Sequence, residues 1–387
     1  MKSSALFRKF RGVKFLTVWP STMLLFIYSA TADDGFWIAG NGSWTNLNNW
    51  DSGTIADGTD NTAYFGLLAN IPANLTVTLD GGRTIGNLFF TDSTGADNVF
   101  LNAGNGGWLT LDATFGPPSV TVVPANQQIA IKVVLAGDAG LEKLGAGSLL
   151  LNATNTYTGG TFVSAGMLYI NGRIGTDVVT VASGTFLGGT GIISGPVTVQ
   201  SGGTLVPGNS TPGTLTISNS LTLQPVSKTL MEVNAATLGH AAVQGLSSVS
   251  YSGTLTVSNL AGAPALGQSF PLISAASASG NFSNLTPQLT GGLRWRFDPA
   301  HGVLSVVATN SQPRFAVLNR AGTNLVLQVT NGAPGVTSYF LTSTNLAAPR
   351  TNWTRLATNV FDVSGKLIFT NALNPATAQR FYLISVP

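Results

Sequence analysis

Short apolar triplets recur at a fixed interval through the middle of this sequence. Thr161-Phe162-Val163, Val179-Thr180-Val181, Val197-Thr198-Val199 and Leu215-Thr216-Ile217 each begin eighteen residues after the one before. Ala165-Gly166, Ser183-Gly184 and Ser201-Gly202 follow the first three at a constant offset. A fixed period of this length marks a stacked architecture, because one such unit cannot bury an apolar face alone and its neighbours must do it. Within the triplets the outer positions are mostly apolar and the middle is mostly Thr, which is the period-2 pattern of a strand with one face inward. A coil of this length has to bend about three times, and Gly turns corners at positive φ without steric cost. Asn152, Asn155, Asn171 and Asn209 suit the remaining corners, where an amide can bond local backbone.

The rest of the composition agrees with strands and tight turns. Gly accounts for 46 of 387 residues and charged residues for only 9%, against about 7% and about 25% in an average soluble domain. No long 3.6-residue apolar stripe appears, and Gly, Thr, Asn and β-branched residues dominate. The expected fold is all-β: a right-handed parallel β-helix, or β-solenoid, followed by a small C-terminal antiparallel β-sandwich-like domain.

Charge is unevenly spread. Lys2, Arg8, Lys9, Arg11 and Lys14 precede an apolar run from Phe15 to Ile27, and Ala30-Thr31-Ala32 offers a small-x-small cleavage pattern. That is the form of a signal peptide over residues 1–32, and the run is shorter than the roughly 20 residues that span a bilayer. Removing five of eighteen cations leaves thirteen against fifteen acids, net −2, so the basic whole-chain balance gives no reason to expect nucleic acid as a partner. Residues 33–289 hold five cations and thirteen acids, whereas residues 290–387 hold eight cations and two acids. Cysteine is absent, which excludes zinc-thiolate, iron–sulfur and cysteine-nucleophile chemistry.

The densest motif precedes the triplets. Leu141-x-Lys143-x-Gly145-x-Gly147-x-Leu149-x-Leu151, then Asn155-x-Tyr157-Thr158-Gly159-Gly160-Thr161-x-Val163 and Gly166-x-Leu168, resembles the autotransporter-associated β-strand repeat, also called the passenger-associated transport repeat. "VASGTFLGGTGIISGPVTVQSGGTLVPGNSTPGTL" (181–215) is similar to segments that follow that repeat in bacterial passenger domains, and "GFWIAGNGSWTNLNNWDSG" (35–53) resembles some of their N-termini. The resemblance implies a secreted or cell-surface bacterial β-helix whose repeat is associated with export and folding, and it implies no reaction. An outer-membrane barrel needs at least eight strands of about nine to eleven residues. The 75 residues after Gln312 are expected to be too few for one, so export by another route is expected.

The expected organisation is a signal peptide over 1–32, an N-terminal cap with first coils over 33–135, the solenoid over 136–311, and a small β-domain over 312–387. Within the solenoid the resembling repeat covers 141–172 and the period-18 coils cover 161–217. Short strands are expected at Leu75–Leu79, Asn87–Thr91 and Ser119–Val123, and in the last domain at Leu325–Val329, Tyr339–Ser343, Trp353–Leu356, Leu367–Thr370 and Phe381–Ser385.

Chemistry-bearing residues are sparse. His240 and His301 are the two histidines, no G-x-S-x-G occurs, and neither histidine has the context of a triad. Gly188-Gly189-Thr190-Gly191 completes no dinucleotide fingerprint. Polysaccharide lyases and hydrolases need paired carboxylates, or a metal with Lys or Arg, yet Asp177 is the sole acid between Lys143 and Glu232. Asp51, Asp57 and Asp60, with Asn61, are weak calcium candidates on one turn-rich loop. Trp37, Trp44 and Trp50 either stack on carbohydrate or plug the open end of the core. Arg294, Arg296, Arg350 and Arg355 either dock an anionic surface or are solubilising charge. The expected function is a non-enzymatic, secreted or surface structural and adhesive protein. A carbohydrate-binding or polysaccharide-degrading β-helix is the alternative. No cofactor is expected, and the expected partner is a polysaccharide or cell-envelope component, with no transmembrane segment in the mature chain.

Overall fold

A computed structural model describes residues 34–386 apart from 69–73, 93–97, 210, 291–292, 310–311, 333–334, 363, 375 and 377–378. The segment expected to be a signal peptide lies outside the described residues. The described chain forms two units, the first running to Met231 with Ala241–Leu255 and Ser274–Ser283, the second holding Glu232–His240, Thr256–Ile273 and Asn284 onward.

From Ser119 to Val199 the strands of the first unit are short, two to four residues each, because each coil must soon turn. One parallel sheet runs through Gly35–Trp37, Gly58–Phe65, Gly82–Phe90, Ser119–Val122, Leu141–Leu144, Thr161–Val163, Val179–Val181, Val197–Val199, Ser220–Leu223, Ser248–Tyr251 and Ala278–Gly280. A second follows Gly42–Ser43, Leu75–Leu79, Val99–Ala103, Gln128–Ile131, Ser148–Leu151, Met167–Ile170, Phe186–Gly189 and Thr204–Pro207, with Thr204 and Leu205 opposite Lys228 and Thr229. A third, shorter sheet carries Arg173–Ile174, Ile192–Ile193, Thr214–Ile217 and Ala242–Leu246. Parallel sheets built up coil by coil in this way, with the third joining from Arg173 onward, are a parallel β-helix.

Register aligns the inward residues into columns. On the second sheet Ile129, Leu149, Leu168, Leu187 and Leu205 lie opposite one another in turn, all without exposed surface. On the first, Val163, Val181, Val199 and Leu223 do the same. Burying each such side chain is worth roughly 1.5–3 kcal/mol. Neighbouring strands stand about 4.8 Å apart, so the aliphatic contacts run unbroken along each column.

The eighteen-residue period holds from Thr161 to Val179 to Val197. It then fails, and the expectation that 161–217 is one uniform series needs correction. Leu215-Thr216-Ile217 belongs to the third sheet, where Ile192 and Ile193 lie opposite Thr216 and Ile217. The first sheet resumes at Leu221-Thr222-Leu223, with Leu221 opposite Val197. That coil is longer because Gly208 folds back on Pro212 in an antiparallel bridge before the third sheet is reached.

The second unit is antiparallel apart from its solenoid-type strands. Ser269–Pro271, Val303–Ala308 and Leu293–Asp298 form one three-stranded sheet. Arg314–Ala321, Asn324–Thr330 and Leu367–Ala372 form a second, and Thr354–Val360, Thr337–Ser343 and Phe381–Ser385 a third. Leu327, Val329, Phe340, Phe361 and Leu367 form the buried cluster joining these last two sheets, with Phe340 and Phe369 stacked at 4.4 Å between ring centroids. Five of the six C-terminal strands fall where the sequence places them. The missed one is Arg314–Ala321.

Candidate functional site

Segment 141–170 is bonded to the coils on either side of it. Strand Leu141–Leu144 turns at Gly145, whose φ of +74° is costly for any residue with a Cβ, and a Cβ there would meet the Val122 carbonyl oxygen at 2.2 Å. The next coil turns at Gly166, φ +67°, where a Cβ would lie 2.4 Å from the Gly147 carbonyl. Glycine is required here by two causes at once, the left-handed backbone and the closeness of the coil beside it.

Three side chains secure this segment internally. Asn155 bridges successive coils: its Oδ1 accepts from the Leu135 N–H at 3.0 Å, while its Nδ2 donates to the carbonyls of Ala153 at 3.0 Å and Arg173 at 3.1 Å. Tyr157 is buried and its hydroxyl shares a 2.8 Å hydrogen bond with Thr161 Oγ1. Burial pushes that phenol well above its usual range, against the smaller opposing effect of the hydrogen bond. It stays neutral at any physiological pH.

Lys143 is the third, and it is unexpected. It occupies an inward position of the first sheet, opposite Val120 on one side and Val163 on the other, with no exposed surface. Its Nζ donates to the carbonyls of Leu144 at 2.8 Å, Gly145 at 2.8 Å and Ala165 at 3.1 Å. An ammonium has three donors, so the carbonyls match its full capacity. Burial pushes the group down to about 7, while the carbonyl cage favours the charged form. Glu142 points to the other face, where it accepts from Ser164 Oγ at 2.6 Å. The signal for this site is present in the sequence: Lys143 shares the inward parity of Leu141.

Several expectations are corrected by where their residues lie. Trp37, Trp44 and Trp50 are at most 2% exposed, so none offers a face to a sugar. Trp50 packs edge-on against Trp37 and Trp44 with ring centroids about 5 Å apart, and Trp44 and Trp50 donate to the carbonyls of Ala56 and Trp44. Phe65 and Phe90 continue the aromatic packing, stacked at 4.8 Å. The calcium candidates do not converge. Asp57 forms an ion pair with Arg83 at 2.7 Å and accepts from the Thr84 N–H, whereas Asp60 accepts from the N–H and hydroxyl of Thr114. Among the described residues no three His, Cys, Asp or Glu side chains group as a metal site, and Asp51 sits in a separate 3-10 turn.

The four candidate arginines also divide. Arg294 and Arg296 alternate with buried Trp295 and Phe297 on one antiparallel sheet, while Arg350 precedes, and Arg355 lies on, a strand of another. The guanidinium of Arg355 lies 3.8 Å over the ring of Tyr339, a pair that sequence spacing could not reveal. His301 is exposed and bonds Asp298 at 2.8 Å, and His240 Nδ1 meets the Leu238 carbonyl at 3.0 Å. An open groove of about 580 Å³ near Val360 and Ile368 includes Asp362, whose carboxylate accepts from Ser364 and Lys366 of its own turn.

Comparison with known proteins bears on the same segment. The model of the passenger-associated-transport-repeat matches residues 141–170, the stretch that holds Lys143, Gly145, Asn155, Tyr157 and Gly166. Residues 141–170 thus carry a repeat of this kind. The chain is similar to the adhesin BmaC autotransporter of Brucella suis biovar 1 (strain 1330), 39% identical over 111 residues, which is 26% of this chain and 3% of that protein. It is also similar to an extracellular serine protease of Serratia marcescens, 41% identical over 75 residues, 19% of this chain and 7% of that protein. The matched stretches span only a small fraction of either relative. One of these relatives is named an adhesin and the other a protease, so the two similarities point to no single activity.

Proposed function

We propose that this passenger-type chain is exported and acts without catalysis, as a surface or matrix spacer with an adhesive C-terminal module. One observation carries the reading: the first sheet keeps parallel register from Gly35 to Tyr251, with its inward positions filled by structural side chains. Even Lys143, the ionisable group most shifted toward neutral pH, is spent on three backbone carbonyls, two of its own turn and one of the next coil. The similarity to an autotransporter adhesin supports export and contact, and the similarity to a protease supplies the competing activity to be tested.

The test is cell fractionation followed by assays on the purified chain. The chain is expected outside the inner membrane, with residues 1–32 removed. It should leave casein intact and should release no new reducing ends or unsaturated products from polygalacturonate. Cleavage of either polymer at a turnover above a heat-denatured control would replace this reading with the polysaccharide-degrading or proteolytic one.

A further inference from the structure

We infer that the outer face of the sheet formed by Thr354–Val360, Thr337–Ser343 and Phe381–Ser385 binds an anionic polysaccharide whose repeating sugar carries a carboxylate, with Arg355 reading that group. The inference rests on the non-enzymatic adhesive reading above and names the ligand class of its C-terminal module. Alternation along Thr337–Ser343 sends Ser338, Phe340 and Thr342 inward, all buried, and leaves Tyr339 and Leu341 outward and partly exposed. Register then places Leu341 between Arg355 on one neighbouring strand and Leu383 on the other. Tyr339, Leu341 and Leu383 make a partly exposed apolar floor, and Arg355 stands on it, exposed.

The placement of the charge matters more than its sign. The guanidinium carbon of Arg355 lies 3.8 Å from the centroid of the Tyr339 ring, a contact that restricts the side chain while Arg355 stays exposed. A planar fork fixed in this way suits two parallel hydrogen bonds to a carboxylate. The adjacent floor suits the C–H face of the sugar ring that carries it. Arg350 lies in the 3-10 turn Arg350–Asn352 just before one edge strand, and Arg380 immediately precedes the other. Both therefore sit at the end of the sheet nearest Arg355.

The three strands contain no Asp or Glu, and residues 290–387 hold only Asp298 and Asp362. Asp298 is bonded to His301, and Asp362 to its own turn. Among the described residues Arg350, Arg355 and Arg380 form no ion pair. Three arginines left without a carboxylate, one of them held against an aromatic ring beside an apolar floor, present a site whose missing component is the anion.

The experiment titrates the full chain with polygalacturonate, with dextran as the neutral control and phosphatidylglycerol vesicles as the lipid control. The wild-type protein is expected to bind polygalacturonate, more weakly as salt rises, and to ignore dextran. Arg355→Gln should weaken binding at least tenfold, the scale of one charged hydrogen-bonding group. Arg355→Lys keeps the charge but loses the fork, and should still weaken binding several-fold. Arg355 is exposed, so both variants should keep the melting temperature of the wild type. Equal binding by wild type and Arg355→Gln, no binding of polygalacturonate by the wild type, or vesicle binding in its place would each overturn the inference. None of those outcomes touches the fractionation and cleavage results on which the non-enzymatic reading stands.

Discussion

The solenoid and the C-terminal pair of sheets bury apolar side chains in opposite ways. In the solenoid Leu168 lies between Leu149 and Leu187, which are flanked in turn by Ile129 and Leu205. Stability is distributed along columns, and to a first approximation it adds from one coil to the next. The C-terminal sheets gather theirs in one cluster around Phe340, with Leu327, Val329, Phe361 and Leu367. A single lost contact should therefore be local in the column and global in the cluster. Phe340→Ala tests the sharper half of this contrast. A buried Phe reduced to Ala costs about 3–5 kcal/mol, a large share of what so small a core supplies. Hydrogen exchange should show Thr337–Ser343 and Phe381–Ser385 losing protection together, while Thr161–Val163 and Met167–Ile170 keep theirs. Equal loss in both regions would remove the contrast.

A polar substitution probes the column side. Asn155 satisfies the Leu135 N–H and two carbonyls from different coils, and no other side chain is bonded to them there. Asn155→Ala should cost about 1–3 kcal/mol, the penalty for leaving the buried Leu135 N–H without a partner, since the Ala153 and Arg173 carbonyls also accept from the Arg173 and Asn155 N–H groups. Exposure to exchange should appear first at Leu135 and Arg173, one coil to either side. Asn155→Asp should be worse at neutral pH, because a carboxylate would replace the donating amide with an acceptor facing two carbonyl oxygens. A thermal melt of the two variants side by side checks the order.

What could be read from the sequence follows the same division. Where a coil keeps its length, local alternation and tertiary position coincide, so Thr161-Phe162-Val163, Val179-Thr180-Val181 and Val197-Thr198-Val199 announce both their strand and their sheet. Leu215-Thr216-Ile217 has the right alternation and the right interval but the wrong sheet, because a spacing cannot distinguish a new coil from a new side of the same coil. Arg314–Ala321 was missed for a different reason. Its pairing slips between Phe315 and Val317, and a bulge breaks period 2. The site residues fared less well than the strands, since burial decides their use. Trp44 and Arg355 look equally available as letters, yet one is sealed among aromatic rings and the other lies on an exposed ring.

Lys143 sets a chemical contrast inside the column itself. The unfolded lysine holds its proton up to about 10.5 and the folded one only to about 7, so between those values unfolding takes up a proton and stability rises with pH. Below 7 both states carry the proton, and the contribution is flat at its least favourable level. The groups stacked on it are Val120 and Val163 and the cage is backbone carbonyl, with Glu142 turned to the outer face. The slope is at most about 1.4 kcal/mol per pH unit, reduced by whatever the carbonyls return to the ammonium. Urea titrations at pH 7 and pH 9 should differ by up to about 2 kcal/mol in the wild type. Lys143→Met should flatten that difference while losing the three bonds that tie Leu144, Gly145 and Ala165 together. A wild-type profile without slope would mean that the cage fully compensates burial.

The smallest effect belongs to the outward positions, where columns exist without a core. Thr180, Thr198 and Thr222 lie opposite one another on the first sheet in the same register as the buried valines beside them. Thr198→Val keeps a β-branched side chain of similar shape and removes only a hydroxyl with no recorded protein hydrogen bond. The expected change is within about 0.5 kcal/mol, and its sign is expected to be stabilising, since Val fits a strand at least as well as Thr. Val199→Thr, one residue along and fully buried, places the same hydroxyl where it has no partner and should cost about 1–3 kcal/mol. Measuring the pair at one temperature asks how sharply a rung separates its two faces. A large gap means that the inner face alone specifies the stack and the outer face is free to vary with whatever the passenger must present. A small gap would mean that the coils tolerate polar groups inside, and that the aliphatic columns are not what holds them together.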